Sequence, residues 1–228
     1  MDRRQLAAWA GMIGPALFVA VFTVEGWLRP GYDPRSMFVS ELALGPRGWI
    51  QIVNFIVLGV LLLMFTRGVA AEFQHGKASR AGPILLTIIA ISFLASGPFV
   101  MDPVTTPTDQ MSWHGKLHWN VFGALVFSLS PVSCFVFLRR FRQDPNWRAF
   151  RWWTLAAGVV TAAAVVVMSV GPTRAPAAPN AFNDWNGVIQ RTFIIAYLSW
   201  IFTFALALRG RSTTHDRVFQ TSLPSRRS

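Results

Sequence analysis

The chain has 228 residues, 53% of them hydrophobic and only 14% charged, with a mean hydropathy of +0.41 and a formal net charge of +11. That balance excludes an ordinary soluble globular domain and points to a polytopic membrane protein. The basic excess would suit a nucleic acid, but no module that presents such a surface is legible, so nucleic acid is not an expected partner.

Six apolar runs follow one another: Leu6–Leu28, Trp49–Ala70, Pro83–Met101, Leu117–Leu138, Trp152–Val170 and Gly187–Leu208. Each approaches the roughly 20 residues that a helix needs to cross a ~30 Å hydrocarbon core. The expected fold is all-α, with six transmembrane helices within residues 1–208 and a basic, disordered tail over 209–228. Arg3 and Arg4 precede the first run as they would in a signal peptide. That run is too long for such a segment, and no A-x-A-like cleavage site follows it, so it is expected to remain as a helix.

Small residues recur four apart at Ala7, Gly11 and Pro15, and again at Thr154, Gly158 and Ala162. Such stripes let helices approach closely in a membrane. In the first connection Asp33 can cap a helix that begins at Pro34, and Gly45-Pro46 would stop it after Leu44. The pattern predicts a short interfacial helix, Pro34–Leu44, presenting Ser40 and Glu41 beside Phe38 and Leu42. Cys134, the single cysteine, reads as a packing residue in the fourth run. The Pro/Ala-rich stretch Pro172–Pro179 reads as an extended strap.

With the N-terminus placed in the cytoplasm, fifteen of the 21 Lys and Arg fall on the cytoplasmic side. The positive-inside rule therefore puts both termini there, with the basic excess against anionic headgroups. Trp27, Trp49, Trp113, Trp119 and Trp185 then mark the outer boundary, and Trp9, Trp147, Trp152 and Trp153 the inner one.

Polar residues cluster where three runs begin at the outer side: Gln51 and Asn54, then His114, His118 and Asn120, then Gln190 and Arg191. Glu25 and Asp102 end the opposing runs at the same level. Polar groups at that depth should pair with one another or line a wet cavity. One reading is structural, with Arg191 paired to Asp102 or Glu25. The other is a pocket in which Ser40, Glu41, Gln51, Asn54, Gln190 and Arg191 bind a ligand, Arg191 taking an anionic group such as a lipid phosphate.

If chemistry occurs, His118 is the candidate general base, with Asp102 orienting it, and Ser40 is a candidate nucleophile. His114, His118 and Asp102 have the ligand types for zinc, with Glu41 as a further oxygen donor. No Glu lies between the two histidines as in H-E-x-x-H, so no metal is assigned. His75 and His215 fall outside the membrane, which removes a bis-histidine haem, and the sequence names no cofactor. A small transporter remains an alternative, although no inverted repeat is visible. Protein partners are not legible; membrane lipids are the expected ones.

Ser40-Glu41-Leu42, Gly45-Pro46, Gly48-Trp49 and Asn54-Phe55 followed by Gly59 together resemble the opening signature of the domain-of-unknown-function 998 family, DUF998. Phe99 with Asp102-Pro103, His118 and Arg191 continue the likeness over nearly the whole chain. The resemblance implies a prokaryotic multi-pass protein of the plasma (inner) membrane and supplies no reaction. It includes His118 but not His114, and so singles out Glu41, Asp102, His118 and Arg191. The loop motif bears a fainter similarity to the Frag1/DRAM/Sfk1 membrane proteins, some of which act in lipid remodelling. That likeness is analogy at fold level only; the lipid-directed hydrolase among the alternatives rests on His118 and Asp102, with zinc as an option.

Overall fold

The computed structural model describes residues 2–170 and 183–221. Six principal helices carry the fold among them: α1 (Arg3–Leu28), α2 (Gly48–Glu72), α3 (Ala81–Ser96), α4 (Trp113–Gln143), α5 (Arg151–Val170) and α6 (Asn186–Thr221). Each packs on the next in chain order, and α6 returns to α1, so the six close a ring. The end that carries the 29–47 and 97–112 connections is termed upper here. The end with the 73–80 and 144–150 connections is lower.

Small residues set the spacing of the ring. A Cβ at Gly59 would lie 2.4 Å from Leu94 Cβ, and one at Gly68 would lie 2.4 Å from Ala7 Cβ. Gly11 faces Phe65 and Ala205 just as closely, so the first stripe packs α1 against α2 and α6. Gly158, in the second stripe, faces Cys134 and Phe135 of α4. Where lipid offers no hydrophobic drive between helices, such approaches supply the dispersion contacts that hold them. An aromatic cluster of Phe73, Phe137, Phe141, Trp147, Trp200 and Phe204 fills the lower half. Trp200 is fully buried and donates its indole N–H to Thr154 Oγ1 at 3.1 Å.

Five helical stretches are long and apolar enough to cross a membrane: Arg3–Leu28, Gly48–Glu72, Trp113–Gln143, Arg148–Ser169 and Asn186–Gly210. Their outward faces expose Ile13, Leu17, Val53, Val132, Val166 and Leu206, as lipid contact requires. The third apolar run forms a shorter helix than the expected span. α3 has 16 residues, about 24 Å at 1.5 Å per residue. It stops at Ser96 because Gly97-Pro98 follows, and Pro98 has no amide to continue the ladder. The expectation of six spans thus becomes five long apolar helices and one shorter one.

The interfacial helix is also shorter than expected. Only Val39–Ala43 is helical, as one 3₁₀ turn. In a continuous helix the Pro34 and Met37 carbonyls would accept the amides of Phe38 and Glu41. Both instead accept from Arg191, while the Phe38 amide donates to Glu41 Oε1 at 2.8 Å and the Glu41 amide to the Phe38 carbonyl at 3.1 Å. Asp33 caps the preceding turn, accepting from the Arg35 amide and the Ser36 hydroxyl, both at 2.9 Å.

At the far end, α6 is helical through Thr221, past the end of the sixth apolar run at Leu208. Extending an existing helix adds one hydrogen bond per residue without a new nucleation cost. The Pro/Ala-rich stretch 172–179 and residues 222–228 lie outside the described residues.

Candidate functional site

Arg191 governs the upper end. Its guanidinium donates to three backbone carbonyls, Pro34 at 2.7 Å, Met37 at 2.9 Å and Gly187 at 3.1 Å, and to the hydroxyl of Tyr32. Tyr32 passes the chain on by donating to the Phe38 carbonyl at 3.0 Å. The first connection is thereby folded back over the ring and held by α6. Burial pushes the Tyr32 phenol above its ordinary value despite the nearby guanidinium.

The partners differ from those expected of Arg191, which forms no ion pair among the described residues. Glu25 is buried and pairs with Arg29 at 2.9 Å and Arg47 at 2.6 Å. Asp102 accepts the Ser112 amide at 2.9 Å, and a Cβ at Gly115 would collide with its carboxylate. The sequence points Arg191 to carboxylates, because backbone carbonyls leave no sequence signature. Tyr32 was missed as well, although it is one of only two tyrosines in the chain.

Beneath the folded connection lies a cavity of about 230 Å³. Ser40, Gln190 and His118 line it, brought there by three separate elements. Gln190 fixes the cover by accepting the Val39 amide at 2.7 Å. Ser96 and Ser169, at the upper ends of α3 and α5, complete the polar part of the wall. About a turn deeper the wall turns apolar, with Phe93, Val126, Phe127, Val165 and Ile194. Among the described lining residues none is Lys, Arg, Asp or Glu. Two lining residues, Ala124 on α4 and Ser169 on α5, are also exposed, so the wall reaches the surface at these two helices.

His118 is buried and begins a single π-helical turn, His118–Gly123, within α4. Such turns are frequent at functional sites because they re-aim side chains inside an otherwise regular helix. Its Nδ1 lies 2.7 Å from the Phe99 carbonyl. A carbonyl only accepts, so Nδ1 carries the hydrogen and donates it to Phe99.

Several expected site residues stand elsewhere. Gln51 and Asn54 bond each other at 3.2 Å, and Asn54 donates to the Phe18 carbonyl at 3.1 Å, tying α2 to α1. Asp102 does not line the cavity. His114 stacks on Trp113, with ring centroids 3.6 Å apart, and also packs against Phe99. No group of three or more His, Cys, Asp or Glu that could hold a metal occurs among the described residues.

Glu41 is half-buried at the cover, and that burial raises its carboxyl above the ordinary value of 4.5, against the opposing pull of the Phe38 amide and Arg191. A raised carboxyl favours the fold when protonated. Its contribution is therefore complete below the unfolded-chain value and is lost as pH rises through the folded one. In melting scans at successive pH values, wild type should lose stability across that window while Glu41→Gln, which keeps an acceptor for Phe38, should not. Parallel curves for the two proteins would refute this account of Glu41.

Among curated proteins and solved structures, none matches the chain. A family model described as protein of unknown function (DUF998) matches residues 12–207, nearly the whole ring. The geometry above is therefore that of a member, and the chain belongs to the DUF998 family.

Proposed function

We propose that this protein is a membrane-embedded binder of a lipid-derived amphiphile, with both termini in the cytoplasm and the upper cavity as the site. The observation that carries this reading is the gradient of the cavity wall. Hydrogen-bonding side chains are confined to the top, where Val39, Trp119 and Met168 stand among them, and the wall below is aromatic and aliphatic, as a head group above an acyl chain would require. The exposed lining residues Ala124 and Ser169 lie on helices apolar enough to meet hydrocarbon, and an opening beside them would give a lipid a lateral way in. A volume of 230 Å³ exceeds the about 150 Å³ that takes one benzene. It falls below the about 300 Å³ at which drug-sized sites begin, so the cavity suits one chain segment and a small head and is too small for a whole phospholipid.

The wall also sets the chemistry of the head. Because no cation lines the cavity among the described residues and Arg191 is held by the cover, an uncharged head with hydroxyl or ester groups fits better than a phosphate. Ser40 and His118 would meet such a head, and Gln190 would hold the turn above it. Both termini are assigned to the cytoplasm because the lower end carries most of the arginines. The test is retention of a neutral amphiphile by wild type and its loss on Ala124→Phe, which fills the opening from an exposed position.

A further inference from the structure

At the lower end, between α4 and α5, three arginines converge on a cleft of about 330 Å³. Arg142 ends α4, Arg148 lies in the connecting turn and Arg151 opens α5. The other walls are Leu138, Leu155 and Trp152. We propose that this cleft binds the phosphate of an anionic phospholipid, with its acyl chains running along the leucines.

Charge is the first argument. Among the described residues no carboxylate lines the cleft. Asp144, the nearest acid in sequence, is taken by Arg140 at 3.2 Å and by the Asn146 amide at 3.0 Å. Three cations around one cleft repel one another, and a phosphate offers each guanidinium a bidentate acceptor. The second argument is direction. Leu138 and Leu155 each lie one turn towards the middle of the bundle from Arg142 and Arg151, so the wall changes from cationic to apolar in the order of a lipid's head and tail. Trp152 is 64% exposed with the Arg151 guanidinium 5.1 Å above its ring, the position of an aromatic belt residue at headgroup level. A second basic cleft lined by Arg3, Arg4 and Arg67 differs, because Glu72 already stands 3.5 Å from Arg4. That cleft is the internal control.

The experiment titrates the full chain, in neutral detergent, with phosphatidylglycerol, phosphatidylcholine and inorganic phosphate, and reads binding by native mass spectrometry. Wild type should prefer phosphatidylglycerol to phosphatidylcholine, and inorganic phosphate should not displace it at equal concentration. Each arginine lost from this cleft should weaken binding about fivefold, so the variant with Arg142, Arg148 and Arg151 all changed to Gln should bind about a hundredfold more weakly. The variant with Arg3, Arg4 and Arg67 changed to Gln, equal in charge, should bind like wild type. Should the first triple variant fail to fold, Arg148→Gln at its exposed position should still show the fivefold loss. Ala124→Phe should leave phosphatidylglycerol binding intact, which separates this site from the upper cavity. Equal losses in the two triple variants, equal affinity for phosphatidylcholine, or displacement by inorganic phosphate would each overturn the proposal.

Discussion

Arg191→Gln is expected to destabilise the protein by about 2–4 kcal/mol, a large loss for a single side chain. The physical reason is the number of acceptors that depend on one guanidinium. Pro34, Met37 and Gly187 contribute carbonyls and Tyr32 its hydroxyl, and a glutamine side chain is too short and too poor in donors to serve all four. Arg191→Lys retains the charge but not the planar fork, and should recover only part of the loss. Hydrogen exchange reports where the loss falls: the amides of Tyr32–Leu44 should lose protection in Arg191→Gln more than those of α2 do. If melting temperature and loop protection both matched wild type, Arg191 would not be the clamp described.

The other large effect concerns the ring itself. Gly59→Ala should cost at least about 3 kcal/mol, at or above the upper end for overpacking. The added Cβ would meet Leu94 Cβ at 2.4 Å and its Cα and amide nitrogen at 2.6 Å. Backbone cannot rotate away as a flexible side chain can, so α2 and α3 would have to separate. Gly210→Ala provides the contrast, since a Cβ there meets nothing within 4 Å. In a helix that change should stabilise, by up to about 1 kcal/mol. Thermal melts of the two variants in detergent test the pair; equal melting temperatures would contradict the close α2–α3 approach.

Much of this architecture was legible because apolar run length and small-residue spacing are local signals. Ala7 and Gly11 do face neighbouring helices, and five of the apolar runs do become helices long enough to cross a membrane. The end of α3 was misplaced because Pro98 and Phe99 are apolar and so prolong a hydrophobic run, while the Gly97-Pro98 step ends the helix. The first connection was read as one helix from its capping signals, whereas a residue more than 150 positions away takes the carbonyls such a helix needs.

At the site, the polar layer was visible but its partition was not. Ser40, His118 and Gln190 meet at one cavity, Gln51 and Asn54 join two helices, and Asp102 ties a loop. Nothing in residue type or spacing separates these three fates. What decides them is which face of each helix turns inward, together with the π-helical turn that begins at His118. Ser96 and Phe127, also in the wall, lay within apolar runs that carried no mark of a site.

The upper cavity should hold a lipid-derived amphiphile. Native mass spectrometry of the chain, extracted in mild neutral detergent and never stripped of lipid, reads this in one comparison. Wild type should carry a discrete neutral adduct that dissociates as an intact amphiphile, and Ala124→Phe should be folded and lack it. A wild type that carries no such adduct, or an Ala124→Phe variant that retains it in full, would contradict the cavity as a binding site.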